Sequence, residues 1–302
     1  MNILITGASG FIGTALLKYI EKNKLFQDDK IVLLTSRPLD GYSYVLHNNY
    51  TFSKQDFLAQ GIDETDLVFH LGAAAPKTRQ EFGTGYIEKF TANVLNTAHL
   101  IENLPSVPQK VIFISSVSVY EQATQISEDT PLQVSDMYGA SKLMCEAYLT
   151  QQAARLGFTL QILRLGQIYG EGEETYSKIV SFFIKQILAD KPITLFGTGN
   201  EKRSLLYVYD CIRAIIQAAQ LPDGVGPINV ASDRPITLRQ LAELIYQVTG
   251  RKENYTIQPQ KSAASVIYNT AKMQHYLPFE LTDYRTGIAN FYNYYKEKYG
   301  GQ

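Results

Sequence analysis

Short apolar runs alternate along the chain with stretches of helical period. Ile3-Leu4-Ile5 forms the first run, Gly7, Gly10 and Gly13 follow it, and Ala15, Leu16, Leu17 and Ile20 then recur with the spacing of one helix face. Ile31-Val32-Leu33-Leu34 predicts a second buried strand, which closes a strand–helix–strand unit. Residues 39–50 read as an irregular connection and Tyr50-Thr51-Phe52 as a short third strand. Leu67-Val68-Phe69-His70-Leu71 predicts the fourth strand, and a helix with Tyr86, Phe90, Val94 and Leu95 on one face follows it. Val111-Ile112-Phe113-Ile114 predicts the fifth strand, and a second long helix opens at Met137. Strands and helices in alternation imply an α/β fold, a doubly wound parallel sheet covered on both faces. No internal repeat, low-complexity run or long linker breaks the pattern.

Composition narrows the picture. The chain has 302 residues, 45% of them apolar, enough for one large core. With 28 basic and 29 acidic residues no global field steers it to nucleic acid or to an acidic membrane. The first strand begins at once, with no leader-like segment, and no later run has the length of a membrane span, so a soluble cytoplasmic protein is expected. Cys145 and Cys211 lie far apart inside helical patterns and read as buried thiols, and His47, His70, His99 and His275 lack metal-ligand spacing. His70, within a strand, reads as a packed core histidine.

Candidate chemistry begins at the glycines. Their spacing, GxxGxxG over Gly7, Gly10 and Gly13, sits after a strand and before a helix, where backbone N–H groups can approach a pyrophosphate. The tip of the second strand reads Thr35-Ser36-Arg37. An NAD-specific site places a carboxylate there for the ribose hydroxyls, whereas an arginine with hydroxyls suits a 2′-phosphate, so both NADP and NAD stay open. Arg37, just before Pro38, reads equally as a solvated loop residue. Asp56 can meet an adenine amino group or cap a helix, and the small residues Gly72 and Ala73 after Leu71 allow a flat ligand to lie against backbone. Asn93 within a helix is accounted for by solvent. Ser115 and Ser116 end the fifth strand, and Tyr138 and Lys142 stand one turn apart on the helix behind it. An ammonium beside a phenol stabilises the phenolate and draws its pKa toward neutrality, while a serine hydroxyl holds the reacting oxygen. Together they suit the interconversion of an alcohol and a ketone beside a nicotinamide.

On these motifs the chain resembles the extended short-chain dehydrogenase/reductase family, in its NAD(P)-dependent epimerase/dehydratase branch. The resemblance covers nearly the whole chain, including Val68-Phe69-His70-Leu71-Gly72-Ala73-Ala74, Leu163-Arg164-Leu165-Gly166-Gln167-Ile168-Tyr169-Gly170, and Phe196-Gly197-Thr198-Gly199 followed by Arg203 and Tyr207-Val208-Tyr209-Asp210. It implies a Rossmann-type sheet of about seven strands, built from residues 1–166 with a return segment near 205–235. Residues 167–204 and 236–302 form the smaller substrate lobe. It implies Ser116, Tyr138 and Lys142 as catalytic residues. Cofactor contacts would come from Gly7, Ser9, Gly10, Phe11, Ile12, Gly13, Ser36, Arg37, Asp56, Phe57, Leu71, Gly72, Ala73, Asn93, Ser115, Tyr138 and Lys142. Substrate contacts would come from Ser116, Gln167 and Arg203, the last on the diphosphate of a nucleotide sugar. A homodimer through the helices near 86–104 and 138–156 is implied as well.

Departures from the pattern matter. Gln167 stands where Asn is usual, Glu171 where Pro is usual, and Lys261-Ser262-Ala263-Ala264 replaces a nucleotide-contacting loop. Val117 and Ser118 occupy the places of the Asp-Glu pair that sugar-nucleotide dehydratases use, so dehydration is set aside. A nucleotide-sugar 4-epimerase is the first expectation, an NADPH-dependent ketoreductase the alternative, and a non-catalytic dinucleotide sensor the third.

Overall fold

The computed structural model describes residues 1–48, 50–77, 87–176, 178–259 and 265–299. Tyr86 and the stretch 261–264 lie outside the described residues. In chain order the central strands are β1 (Asn2–Thr6), β2 (Lys30–Thr35), β3 (Ser43–Leu46), β4 (Leu67–His70), β5 (Lys110–Ser116), β6 (Thr159–Leu165) and β7 (Ile228–Val230). They form one parallel sheet in the order β7-β6-β5-β4-β1-β2-β3. The connecting helices are α1 (Phe11–Lys22), α2 (Lys54–Ala59), α3 (Ile87–Asn103), α4 (Met137–Leu156), α5 (Ile179–Leu188) and α6 (Val208–Ala218).

The strands read as unbroken apolar runs because the sheet is covered on both faces. Successive side chains point to opposite faces. Ile3 and Ile5 of β1 join Leu33, Phe69 and Ile112 in a core shared with Leu16 and Ile20 of α1 and Ile212 and Ile215 of α6. Leu4 joins Val32, Val68 and Val111 in a second core, with Leu100 of α3 and Leu149 of α4.

The third strand departs from the sequence expectation. It lies at Ser43–Leu46, inside the stretch read as irregular, and pairs with β2 from Val32↔Ser43 to Thr35↔Leu46. Tyr50 and Thr51 instead belong to a turn closed by Thr51 N–H donating to the Asn48 carbonyl (2.8 Å), and Phe52 follows it outside any strand. Of the four side chains in β3 only Val45 is buried, so the strand lacks the apolar run that identifies its neighbours.

A smaller set of elements gathers beyond the C-terminal ends of the central strands. It contains α5, α7 (Leu238–Thr249), α8 (Ala271–Tyr276) and α9 (Tyr284–Tyr299), with short strand pairs between them. Gln167–Tyr169 pairs in parallel with Leu205–Tyr207, and Lys202–Arg203 pairs antiparallel with Ile236–Thr237. Helix α9 buries Ile288 and Phe291 and leaves Tyr292 and Tyr295 half-buried.

A buried polar network ties β5, α4, β6 and β7 together. Glu146 of α4 accepts from Ser115 Oγ (2.5 Å) and from Arg164 Nε and Nη2 (3.0 and 2.6 Å). Arg164 Nη1 donates to the Tyr120 hydroxyl (2.9 Å), which donates to Asn229 Oδ1 (2.8 Å). Arg164→Leu leaves the Glu146 carboxylate buried without its cation and is expected to cost about 3–5 kcal/mol in urea unfolding. Adding Glu146→Gln should recover part of that loss, and no recovery in the double variant would show that the pairing is not what the single change disrupts.

Candidate active site

One cavity of about 610 Å³ opens along the C-terminal ends of the strands, bordered by the turn after β1, the loop after β4, the end of β5 and the first turns of α4. The strand order reverses between β1 and β4, which places the cavity at the crevice where open α/β sheets bind ligands. Here two backbones nearly touch. A Cβ on Gly7 (φ +70°) would lie 2.7 Å from the Gly72 nitrogen, and one on Gly13 would lie 2.2 Å from the Gly7 carbonyl oxygen. Helix α1 starts at Phe11 with Gly10 as its N-cap, no side-chain cap and no acid in its first turn. Its leading N–H groups are thus left for an anion, and the narrow glycine cradle admits a pyrophosphate. Gly7, Ser9, Gly10, Phe11, Ile12 and Gly13 all border the cavity, as do Leu71, Gly72 and Ala73.

Below this junction a chain of hydrogen bonds fixes the end of β4. Gly72 N–H donates to Thr6 Oγ1 (2.9 Å), which meets His70 Nδ1 (2.8 Å). His70 Nε2 meets Thr97 Oγ1 (3.0 Å), which donates to the Asn93 carbonyl (2.8 Å). That direction assigns the proton to Nε2 and leaves Nδ1 as acceptor. Burial, and then the neighbouring Lys142, hold the imidazole neutral with its pKa lowered to about 3. His70 is the core histidine that its strand position predicts.

Ser116, Tyr138 and Lys142 meet on the same cavity. Asp136 caps α4 by accepting from Gly139 N–H (2.7 Å), and Gly139 lets the helix rest on the β5 end, since a Cβ there would lie 2.2 Å from the Ser118 carbonyl oxygen. Ser116 Oγ accepts from Ser118 N–H (3.1 Å) and donates to Ser118 Oγ (3.1 Å). Lys142 Nζ donates to the Ile114 carbonyl (2.7 Å) and lies 5.9 Å from the centre of the Tyr138 ring. Burial brings Lys142 down to about 8. It also drives the Tyr138 hydroxyl well above the usual phenol range, helped by Tyr176 and Asp136.

Other expected site residues divide. Gln167 and Arg203 border the same cavity, and Arg203 Nη1 donates to the Lys202 carbonyl (2.8 Å). Ser115 reaches the cavity with its hydroxyl committed to Glu146. Asn93 is buried, not solvated. Its Oδ1 accepts from Ala74 N–H (2.7 Å) and its Nδ2 donates to the Ala74 carbonyl (3.1 Å) and to Ser141 Oγ (3.0 Å), so it pins the loop after β4 to α4. Ser36 and Arg37 are exposed at the tip of β2 and do not border the cavity. Asp56 Oδ2 accepts from Ser53 N–H (2.7 Å) and Ser53 Oγ (2.9 Å), the capping alternative that its sequence position allows. Phe57 is fully buried in the core.

Several cavity residues escape the sequence reading. Lys178 Nζ donates to the Ile168 carbonyl (2.8 Å) and sits 4.7 Å from the centre of the Phe11 ring. Glu173 is fully buried, accepts from Ser181 N–H (2.9 Å) through Oε1, and has no hydrogen-bond partner for Oε2 among the described residues. Burial pushes its carboxyl up to about 7, opposed by Lys178. The polar cluster from Glu171 to Lys178, directly after the Leu163-to-Gly170 motif, is the signal that marks them.

Residues 3–231 match the NAD dependent epimerase/dehydratase family. The chain belongs to that family. Among its relatives are an uncharacterized UDP-glucose epimerase of Bacillus subtilis, 29% identical over 100% of both chains, and a dTDP-4-dehydro-6-deoxyglucose reductase of Escherichia coli, 30% identical over 81% of this chain and 80% of that one. The fold is that of the Thermotoga maritima UDP-glucose 4-epimerase solved with UDP-glucose (TM-score 0.84, 22% identity, 99% of both chains). It is equally that of the Bacillus cereus UDP-glucuronic acid 4-epimerase solved with UDP-glucuronic acid and NAD (TM-score 0.83, 24% identity, 99% of this chain and 100% of that one).

Two buried groups of this family member carry opposite pH signatures. The unfolded chain protonates His70 below about 6.5 while the native ring stays neutral to about 3, so its contribution is lost as pH falls through that window. Glu173 keeps its proton up to about 7 in the native state but loses it near 4.5 when unfolded, so it destabilises as pH rises between those values. The stability advantage of His70→Gln over wild type should therefore grow as pH falls, by up to about 1.4 kcal/mol per unit, and that of Glu173→Gln should grow as pH rises. Urea unfolding across the range checks both, and parallel curves for variant and wild type would contradict the assignment.

Proposed function

We propose that this chain is an NAD-dependent 4-epimerase of nucleotide-diphosphate sugars. The observation that carries the reading is that Ser116, Tyr138 and Lys142 share one cavity with the glycine cradle on one side and with Gln167 and Arg203 on the other. A relative named as a UDP-glucose epimerase, aligned over the full length, supports a uridine-diphosphate hexose as substrate.

Bound NAD supplies a reversible hydride acceptor for sugar C4. The protein supplies everything else. Tyr138, as its phenolate, takes the proton from the 4-hydroxyl and returns it after the sugar has turned. Ser116 holds the same oxygen by a hydrogen bond, which keeps it in reach of the phenol. Lys142, with its ammonium fixed on the Ile114 carbonyl, lowers the cost of negative charge at Tyr138 when proton transfer begins. The Arg203 guanidinium matches the diphosphate, and the Gln167 amide offers both a donor and an acceptor to sugar hydroxyls.

The exposed apolar side chains Ile87 and Leu95 on α3 and Met144 on α4 support a homodimer through these two helices. Leu95→Glu with Met144→Glu should convert a dimer to a monomer in sedimentation velocity. A wild-type protein that sediments as a monomer would remove the proposal.

A ketoreductase is the second reading. It is favoured by the absence of a carboxylate at the β2 tip and by the 30% identical reductase relative. An epimerase has to keep its cofactor through turnover, whereas a reductase must exchange it. Protein purified without added cofactor should release stoichiometric NAD on denaturation, identified by mass spectrometry. It should interconvert UDP-glucose and UDP-galactose, and Tyr138→Phe should lower kcat by roughly 10²–10⁴-fold while the NAD stays bound. An empty protein that binds NADPH more tightly than NADH would replace the epimerase with the reductase. A Tyr138→Phe variant with undiminished function would leave only a sensor.

A further inference from the structure

The turn after β3 places an aromatic side chain where neither the strand pattern nor the glycine motif anticipates one. Tyr50 adopts φ +58°, a left-handed backbone that is uncommon for an aromatic residue and that concentrates at functional positions. Its N–H donates to His47 Nδ1 (3.1 Å), and its ring stacks on the His47 ring at 4.4 Å between centres and 23° between planes. From there the side chain reaches the end of β4. A Cβ on Gly72 would lie 2.5 Å from the Tyr50 hydroxyl oxygen, so the phenol fills the space that a side chain at 72 would take. Tyr50 borders the cavity, and its hydroxyl makes no hydrogen bond among the described residues.

The sheet order says which part of a dinucleotide would meet it. Ser116, Tyr138 and Lys142 come from the β5 end and α4, so the reacting end lies over β5. The pyrophosphate belongs at the glycine cradle between β1 and α1. The opposite end then extends toward β2 and β3, the side from which Tyr50 enters. Asp56, the acidic alternative on that side, spends an oxygen on the Ser53 capping box.

We propose that Tyr50, held by His47, is the adenosine-contacting residue of this cavity, offering its ring and its unpaired hydroxyl where the sequence pattern points to Asp56. The proposal rests on the reading of the cavity as a dinucleotide site. Calorimetric titration of the full chain, freed of resident nucleotide, with ADP-ribose and with nicotinamide mononucleotide tests it without reference to turnover. Tyr50→Asn, whose side chain tolerates the left-handed backbone, should weaken ADP-ribose by roughly tenfold, the scale of an aromatic contact to a base. Nicotinamide mononucleotide should bind as to wild type, Tyr50→Phe should lose less than Tyr50→Asn, and Asp56→Asn should bind ADP-ribose as wild type does. Circular dichroism melts confirm that each variant is folded. ADP-ribose affinity unchanged in Tyr50→Asn overturns the proposal. So does tighter binding, which would make the phenol an obstacle, and so does an equal loss for both probes. Wild-type protein that binds neither NAD nor ADP-ribose overturns the dinucleotide reading itself, a result distinct from any of these.

Discussion

Two backbones passing within contact distance govern the ligand side of this protein. The turn after β1 can run against the end of β4 only because positions 7, 13 and 72 carry no Cβ. The Gly7 amide region, the leading N–H groups of α1 and the loop after β4 are thereby brought to one wall. The Thr6–His70–Thr97 chain of hydrogen bonds then holds the β4 end in that place and hands the constraint on to α3. Asn93, on the same helix, passes it to α4 through Ser141. The position of Lys142 is thus linked to the glycine cradle by hydrogen bonds through Thr6, His70, Thr97, Asn93 and Ser141.

The other half of the site depends on a buried ion pair. Glu146 lies one turn beyond Lys142 on α4, and by accepting from both Ser115 and Arg164 it clamps the end of β5 between α4 and β6. A neutral, well-packed substitute would give comparable stability, since desolvation offsets much of the Coulomb attraction of a buried pair. What the pair supplies beyond that is direction. A bidentate guanidinium–carboxylate contact fixes the register of three elements at once, and Ser116 is the next residue after the one it grips.

Much of this was legible in the residues because the constraints are local. The glycine spacing, the Tyr138/Lys142 pair and the Ser115-Ser116 strand end each report a backbone requirement or a one-turn proximity that sequence distance encodes directly. The third strand was not legible. Ser43–Leu46 buries a single side chain, so it carries no apolar run, whereas Tyr50-Thr51-Phe52 has strand-like composition and lies outside the sheet. Asp56 was legible only as a choice between two uses, and Ser53 three residues earlier is the feature that points to capping. Asn93 misled for a different reason. Its partners, Ala74 and Ser141, lie on other elements, and no spacing along one helix reveals a contact made across three.

The electrostatics of Tyr138 and Lys142 follow from one cause with two signs. Burial disfavours charge, so it raises the phenol and lowers the ammonium together. At about 8 the lysine still carries its proton at neutral pH, so an ammonium faces the phenol. A one-way oxidation needs only the removal of the proton. An epimerisation has different requirements, since the proton taken from the 4-hydroxyl must be returned to the same oxygen once the sugar has turned. The higher the phenol's pKa, the more readily its phenolate takes the substrate proton and the less readily the phenol returns it, while the nearby ammonium acts in the opposite sense by stabilising the phenolate. Lys142, held on the Ile114 carbonyl, supplies that opposing charge to both half-reactions from one fixed position.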